Sequence, residues 1–222
     1  MITCEEIYDL HTTGALESAL CEAYREIPLD SRNSMRKNDT PLHMACAFVD
    51  ENAVRILLER GADVNVRNDD GDTPLCVLAK RKCCGKETTI AGIAGLLVSK
   101  EARVPRSGKN TTALIEAVGN RHFLMADILL MSGCRIDSTN SNGNNVLHVI
   151  CQSAGDIAYD IKRTKERIAD FSERWYSEKD KREAYENMEY LEEADRQCFL
   201  TAKRILENGQ IDTEDKNNIG KT

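Results

Sequence analysis

Histidine, cysteine and clustered carboxylates are the side chains in this sequence whose types would suit acid–base catalysis or metal binding. The four histidines, His11, His43, His122 and His148, stand far apart in the chain. No Cys-x-x-Cys occurs, and no Cys/His group has zinc-ligand spacing. Asp69-Asp70-Gly71-Asp72 offers carboxylates that would suit a calcium ion, but the further ligands of a calcium loop are missing and turn chemistry accounts for the run. His122, with Asp127 on the helical pattern after it, reads as an exposed residue and not as a general base. A Gly-rich phosphate loop and a Gly-x-Ser-x-Gly elbow are both absent. The chain therefore reads as a non-enzyme with no cofactor and no metal.

The elements that carry these residues recur. Asp39–Gly71 opens with Thr40-Pro41-Leu42-His43-Met44-Ala45 and closes with Gly61-Ala62-Asp63-Val64-Asn65 and a polar run. Thr73-Pro74-Leu75 follows, with Thr73 33 residues after Thr40. Pro41 suits the first turn of a helix, where a missing N–H costs nothing. Thr40 before it suits the cap. Leu42, Ala45 and Cys46 at helical spacing predict a short first helix, and the small pair Ala45-Cys46 allows a neighbour to approach closely. A second helix is predicted over Glu51–Arg60, with Val54, Leu57 and Leu58 on one face and charges on the other. Gly61 ends it in the left-handed conformation. Arg67-Asn68-Asp69-Asp70-Gly71 is rich in turn formers and predicts a hairpin tip. One such unit cannot bury its apolar face alone, so copies must stack.

A period near 33 with a Thr-Pro-Leu-His-x-Ala opening resembles the ankyrin-repeat family. The resemblance implies an all-α solenoid of stacked helix-turn-helix units with β-hairpin loops. It covers nearly the whole chain apart from residues 153–196. On this register the chain is a single domain over 1–222: a capping repeat at 1–38, then units at 39–71, 72–109, 110–143 and 144–219. The cap lacks the Thr-Pro-Leu-His opening, as a terminal repeat that meets water would. In the second unit Cys76 replaces the opening histidine, about six extra residues fall near Lys82–Thr88, and Glu101 stands where glycine would cap the second helix. The third unit keeps the apolar spacing of Thr112-Ala113-Leu114-Ile115 without Pro or His, and Asn145 lies 33 residues beyond Thr112. Ile219-Gly220-Lys221-Thr222 reads as the opening of a fifth unit, which suggests a fragment of a longer chain or a partial last repeat. The resemblance also gives His43 and His148 structural hydrogen bonds between neighbouring units. Cys46 and Cys151 occupy the same place in their repeats; with most of the nine cysteines they read as small buried hydrophobes in a reducing compartment, Cys83-Cys84 being more exposed by pattern.

Residues 153–196 are an insertion between the two helices of the fourth unit. Ala154, Ile157, Ile161, Thr164, Ile168, Phe171 and Trp175 alternate at three and four, and so do Ala184, Met188, Leu191, Asp195, Cys198, Ala202 and Ile205. That is a heptad seam with Thr164 and Asp195 as imperfect positions. It predicts a protruding antiparallel helical hairpin, coiled-coil-like, with each arm gaining roughly 33 Å at 1.5 Å per residue. Ser177 with Asp180 suits the start of its second helix. Phe171 and Trp175 read as closing the seam; alternatively Trp175 and Tyr176 form a partner-binding tip, or the seam drives self-association.

A charged fraction of 30% and a net charge of −7 argue against a nucleic-acid partner. No apolar run is long enough for a membrane span, and Met1–Leu10 is not a secretory signal. A cytoplasmic chain without a membrane partner is expected, export by a route lacking a cleavable signal staying open. The resemblance implies protein binding by hairpin tips and first helices on a concave face. Carried over position by position, it places the binding positions at Arg36, Lys37, Asp39, Ala47 and Phe48, then at Asp69, Asp70, Asp72, Lys80 and Arg81. Lys109, Thr111, Gly119 and Asn120 follow, and last Ser141, Asn142, Asn144, Gln152 and Ser153. Phe48, apolar where solvent contact is expected, is the preferred anchor. The function expected is that of a non-catalytic interaction module or scaffold for an unidentified protein. The alternatives are a structural protein that forms a homo-oligomer through the 153–196 finger, and a secreted, host-directed bacterial effector.

Overall fold

A computed structural model describes residues 2–82, 85–102, 112–134, 136, 138–169 and 177–207. Two compact units divide the chain, Met1–Cys134 and Arg135–Thr222. Among the described residues all regular structure is helical; the loops close through the single bridges Asn33↔Asp39 and Thr139↔Asn145 instead of extended hairpin strands.

Met1–Cys134 holds four helix pairs: α1 (Cys4–Thr13) with α2 (Glu17–Glu26), α3 (Pro41–Phe48) with α4 (Glu51–Glu59), α5 (Pro74–Ala79) with α6 (Glu87–Ser99), and α7 (Ala113–Gly119) with α8 (Phe123–Met131). First helices pack on first helices and second on second, α1 on α3 on α5 on α7 and α2 on α4 on α6 on α8. Each first helix after the cap starts at the residue the register marks. Thr73 and Thr112 accept from the backbone N–H groups of Cys76 and Ile115, and Thr40 shares a capping box with His43. Pro41 and Pro74 occupy the first turns of α3 and α5. The stacked faces are filled by Ile7, Tyr24, Leu42, Met44, Leu57, Leu75, Leu78, Ile90, Ile93, Leu97 and Phe123, all fully buried. Each aliphatic side chain among them contributes about 1.5–3 kcal/mol by leaving water. Arg60, after α4, donates to the carbonyls of Tyr24 at 2.6 Å and Ile27 at 2.8 Å, so one unit satisfies the last carbonyls of the helix before it.

His43 ties two units with one ring. Its Nδ1 lies 2.8 Å from Thr40 Oγ1, and its Nε2 donates to the Asp72 carbonyl at 2.9 Å. The ring is fully buried, and burial pushes its pKa below the usual histidine value despite the Asp72 contact. His11, stacked on Phe48, is lowered by burial too, against the pull of Asp50. His122 corrects the expectation of an exposed residue: it is 2% exposed, capping α8, with Nδ1 3.1 Å from Glu87 Oε2 and Nε2 bonded to the Arg81 carbonyl. It is buried because the chain after α5 and the start of α6 both fold over it, which periodicity along its own helix does not reveal.

Gly61 and Gly133 end α4 and α8 with φ of 86° and 79°. Glu101, at the corresponding step after α6, is forced to the same hand with φ 61°. A side chain there is strained.

In Arg135–Thr222, α9 (Val146–Ala169) and α10 (Glu178–Glu207) pack against each other antiparallel, Asn187 donating to Thr164 Oγ1 at 3.2 Å near one end and the Cys198 thiol to the Ile150 carbonyl at 3.8 Å near the other. Ser177 caps α10, its hydroxyl accepting from the Asp180 N–H at 3.1 Å. The seam differs from expectation on one side. Ala184, Leu191, Ala194, Cys198, Thr201 and Ile205 are buried on α10, while Asp195 is exposed and Ala202 is only half-buried. Desolvating the Asp195 carboxylate is costly, and the helix face that buries Ala194 and Thr201 keeps the same three–four alternation without it. Cys151 also departs from expectation. It is exposed where Cys46 is fully buried, because α9 turns Ile150 and Ser153 inward on either side of it. Phe171, Trp175 and Tyr176 lie outside the described residues.

Glu101→Gly is expected to raise stability by about 1 kcal/mol, read as a higher urea midpoint. Leu191→Ala is expected to cost about 2–4 kcal/mol by opening a cavity in the α9–α10 seam, whereas Asp195→Ala stays within about 0.5 kcal/mol of wild type. Because the folded pKa values of His43 and His11 lie below the unfolded value near 6.5, the unfolded chain takes up protons first as the solution acidifies. The urea midpoint is therefore expected to be constant between about pH 7 and about pH 8 and to fall as pH drops below about 6.5. His43→Gln is expected to flatten that slope.

Candidate functional site

The loops before α3 and α5 carry six of the register's binding positions, Arg36, Lys37, Asp39, Asp69, Asp70 and Asp72, and their hydrogen bonds explain how they hold their shape. In the turn before α5, Asn68 N–H donates to the Asp72 carbonyl at 3.0 Å, Gly71 N–H returns to the Asn68 carbonyl at 2.9 Å, and Asp72 N–H reaches Asn68 Oδ1 at 2.9 Å. The turn built on Asn140 in the other unit repeats this: Asn140 N–H donates to the Asn144 carbonyl at 2.9 Å, and Asn144 N–H to Asn140 Oδ1 at 3.0 Å. Neighbouring loops are also joined. Asp69 N–H donates to the Lys37 carbonyl at 2.8 Å, Asn38 Nδ2 to Asp69 Oδ2 at 2.8 Å, and Asn68 Nδ2 to Asp39 Oδ1 at 2.8 Å. Arg32 reaches across to the Arg67 carbonyl at 2.9 Å.

Between these loops and the first helices lies an open groove of about 520 Å³. The loop after the cap supplies Met35, Arg36, Lys37 and Asp39; the next supplies Asn68, Asp70 and Asp72. Helices α1, α3 and α5 supply Tyr8, Ala47 and Val77, and the end of α5 adds Lys80 and Arg81. The walls are charged and largely self-paired. Arg36 lies 3.8 Å from Asp39 and over the Tyr8 ring, 5.0 Å from its centroid. Lys37 pairs with Asp70 at 3.3 Å and Lys80 with Asp72 at 2.6 Å. Lys37–Asp70 is exposed and contributes well under about 1 kcal/mol. Lys80–Asp72 is firmer, with the Asp72 carboxylate buried; burial works to lower the Lys80 ammonium, but the Asp72 hydrogen bond and charge outweigh it and raise its pKa.

Asp70, Asp72, Lys80 and Arg81 thus meet in one groove, as do Arg36, Lys37, Asp39 and Ala47. Asp69 stands beside it, engaged with Asn38. Phe48 corrects the expectation of a solvent-facing anchor: it is half-buried, stacked on His11 at 4.0 Å and against Tyr8 at 5.7 Å, because α1 of the cap covers it. Asn120 is half-buried too, its amide donating to the Ala79 carbonyl at 3.0 Å and so joining α7 to α5. Met35, 86% exposed, and Tyr8, Asn68 and Val77 were not reached by the register. A signal for one of them was present, since Met35 and Asn68 are themselves 33 residues apart.

In Arg135–Thr222, Asn142 and Gln152 are exposed and Asn144 is half-buried in the Asn140 turn. A different surface stands out there: an apolar hollow of about 510 Å³ between α9 and α10, lined in part by Cys151, Ala154, Phe199 and Leu200, with Phe199 70% exposed. Lys109, Trp175 and Tyr176 lie outside the described residues. Among the described residues no cluster of three metal-ligating side chains forms, and no helix is long and apolar enough to cross a membrane.

The profile of the family described as ankyrin repeats (many copies) matches residues 26–76, from the end of α2 into α5. An ankyrin repeat-containing protein of Schizosaccharomyces pombe is 34% identical over 68 residues, a stretch that covers 28% of this chain. The chain spans about a third (33%) of the length of that relative. Ankyrin repeats as a family are non-catalytic modules of protein–protein interaction. Helix pairs capped at the same step, each first helix stacked on the one before, and the match at 26–76 together make residues 26–76 similar to ankyrin repeats.

Proposed function

We propose that this chain is a non-catalytic binding module that holds a partner protein in the groove of Met1–Cys134. The observation that carries the reading is the groove itself. Rigid loop tips and short first helices converge there, offering an exposed methionine, an aromatic ring and a set of charges on a surface whose backbone is already hydrogen-bonded. A surface ordered in this way loses little entropy on binding. Asp69, Asp70, Asp72, Lys80 and Arg81 belong to this site, with Met35 replacing Phe48 as the apolar anchor. Lys109, Asn120, Asn142, Asn144 and Gln152, with Trp175 and Tyr176, are secondary positions in the reading.

The partner is a protein and neither nucleic acid nor membrane; the acidic balance of the chain supports the former exclusion. Thiols that are free and mostly buried fit a reducing, cytoplasmic setting. The whole chain is read as one repeat array in which 153–196 lengthens both helices of the last unit. A second reading, self-association through α9 and α10, is favoured by exposed Phe199 and Leu200 on α10.

Affinity capture from the native cell separates the two. Met35→Glu is expected to lose the captured partner while the thermal midpoint holds, and Phe199→Glu to keep it. A partner retained by the first variant and lost by the second moves the site to α9 and α10. Light scattering of the Phe199→Glu chain reads the oligomeric state in the same experiment.

A further inference from the structure

The groove lining carries four cations, and three of them have an acidic neighbour within 4.0 Å. Arg81 is the fourth. Its side chain has no ion-pair partner among the described residues, and its Nε is buried without a hydrogen-bond partner. A buried N–H left unpaired costs free energy, while Arg81 as a whole is only half-buried and lines the groove. The backbone of Arg81 is fixed, since its carbonyl takes the His122 Nε2 hydrogen bond and His122 is itself held beside Glu87. The guanidinium is thus a planar fork on an anchored stem at the groove wall.

We propose that the groove receives an acidic side chain of the partner polypeptide, with Arg81 binding its carboxylate. This rests on the reading of the groove as the protein-binding site. A guanidinium fork matches a carboxylate through two parallel N–H···O bonds. Charge balance selects a monoanion: four cations against three carboxylates leave one positive charge in the lining. A phosphate dianion would overshoot that balance and face the acids across the groove. Met35, exposed and lining the same groove as Tyr8, gives an apolar neighbour in the partner a place to pack.

The test pans a displayed library of random peptides against the full chain, against Arg81→Gln and against Met35→Glu. On the wild type the selected pool is expected to carry Asp or Glu at one fixed position next to an apolar residue. Changing that Glu to Gln in a selected peptide is expected to weaken binding at least about tenfold on the wild type and less than about twofold on Arg81→Gln. Arg81→Lys, which keeps the charge but not the fork, is expected to fall between, and serves alone if Arg81→Gln does not fold. A pool without an acidic position, an equal Glu-to-Gln penalty on wild type and Arg81→Gln, or tighter binding of a phosphoserine at that position overturns the assignment. Peptides that bind Arg81→Gln and Met35→Glu as tightly as wild type sit outside the groove and overturn the groove reading itself. Loss of the acid preference on Arg81→Gln, with binding still sensitive to Met35→Glu, supports both.

Discussion

Helices of six to thirteen residues, such as those of Met1–Cys134, are too short to persist alone in water. Each pair exists because the next pair covers it. That dependence explains where the strongest ties are found. Arg60 satisfies the carbonyls at the end of the helix before it, and His43 caps its own helix with one ring nitrogen while holding the following loop with the other. These bonds cross from unit to unit at main-chain atoms. They make the burial of Leu42, Leu57, Leu75 and Leu97 one cooperative event and not four separate ones.

The same dependence sets how much was legible in the sequence. The caps at Thr40, Thr73 and Thr112, the span of α4 and the turn at Asn68 follow from local chemistry repeated at an interval, and the helices begin where that chemistry puts them. Two thirds of the groove lining is legible for the same reason, as Arg36, Lys37, Asp39, Ala47, Asp70, Asp72, Lys80 and Arg81 occupy register positions that face it. Phe48 and His122 were misjudged because what covers them comes from elsewhere: α1 in the one case, the chain after α5 with Glu87 in the other. Tyr8 belongs to a cap without the opening motif, so no register reached it. On α10, counting by three and four places Asp195 and Ala194 one step apart, and only the cost of burying a carboxylate decides between them.

The groove is built from parts that are mostly satisfied. Its loops are bonded to each other, and most of its charges neutralise each other at short range. On the proposed reading, specificity comes from the few groups left over, an exposed thioether and a guanidinium with no acidic partner among the described residues, and not from the total charge of the chain.

Lys37 and Asp70 meet across two adjacent loops, and they are separated in sequence by the length of one unit, 33 residues. Each therefore occupies the same place in its own loop, and the attraction arises only because neighbours carry opposite signs there. If the block between them were copied in tandem, the new loop would set aspartate against aspartate at that spot, while the main-chain tie from His43 would form as before. Lengthening this array by duplication is thus tolerated by its backbone and resisted by its side chains, so a newly copied unit would have to diverge at its loop before it sat comfortably beside its parent.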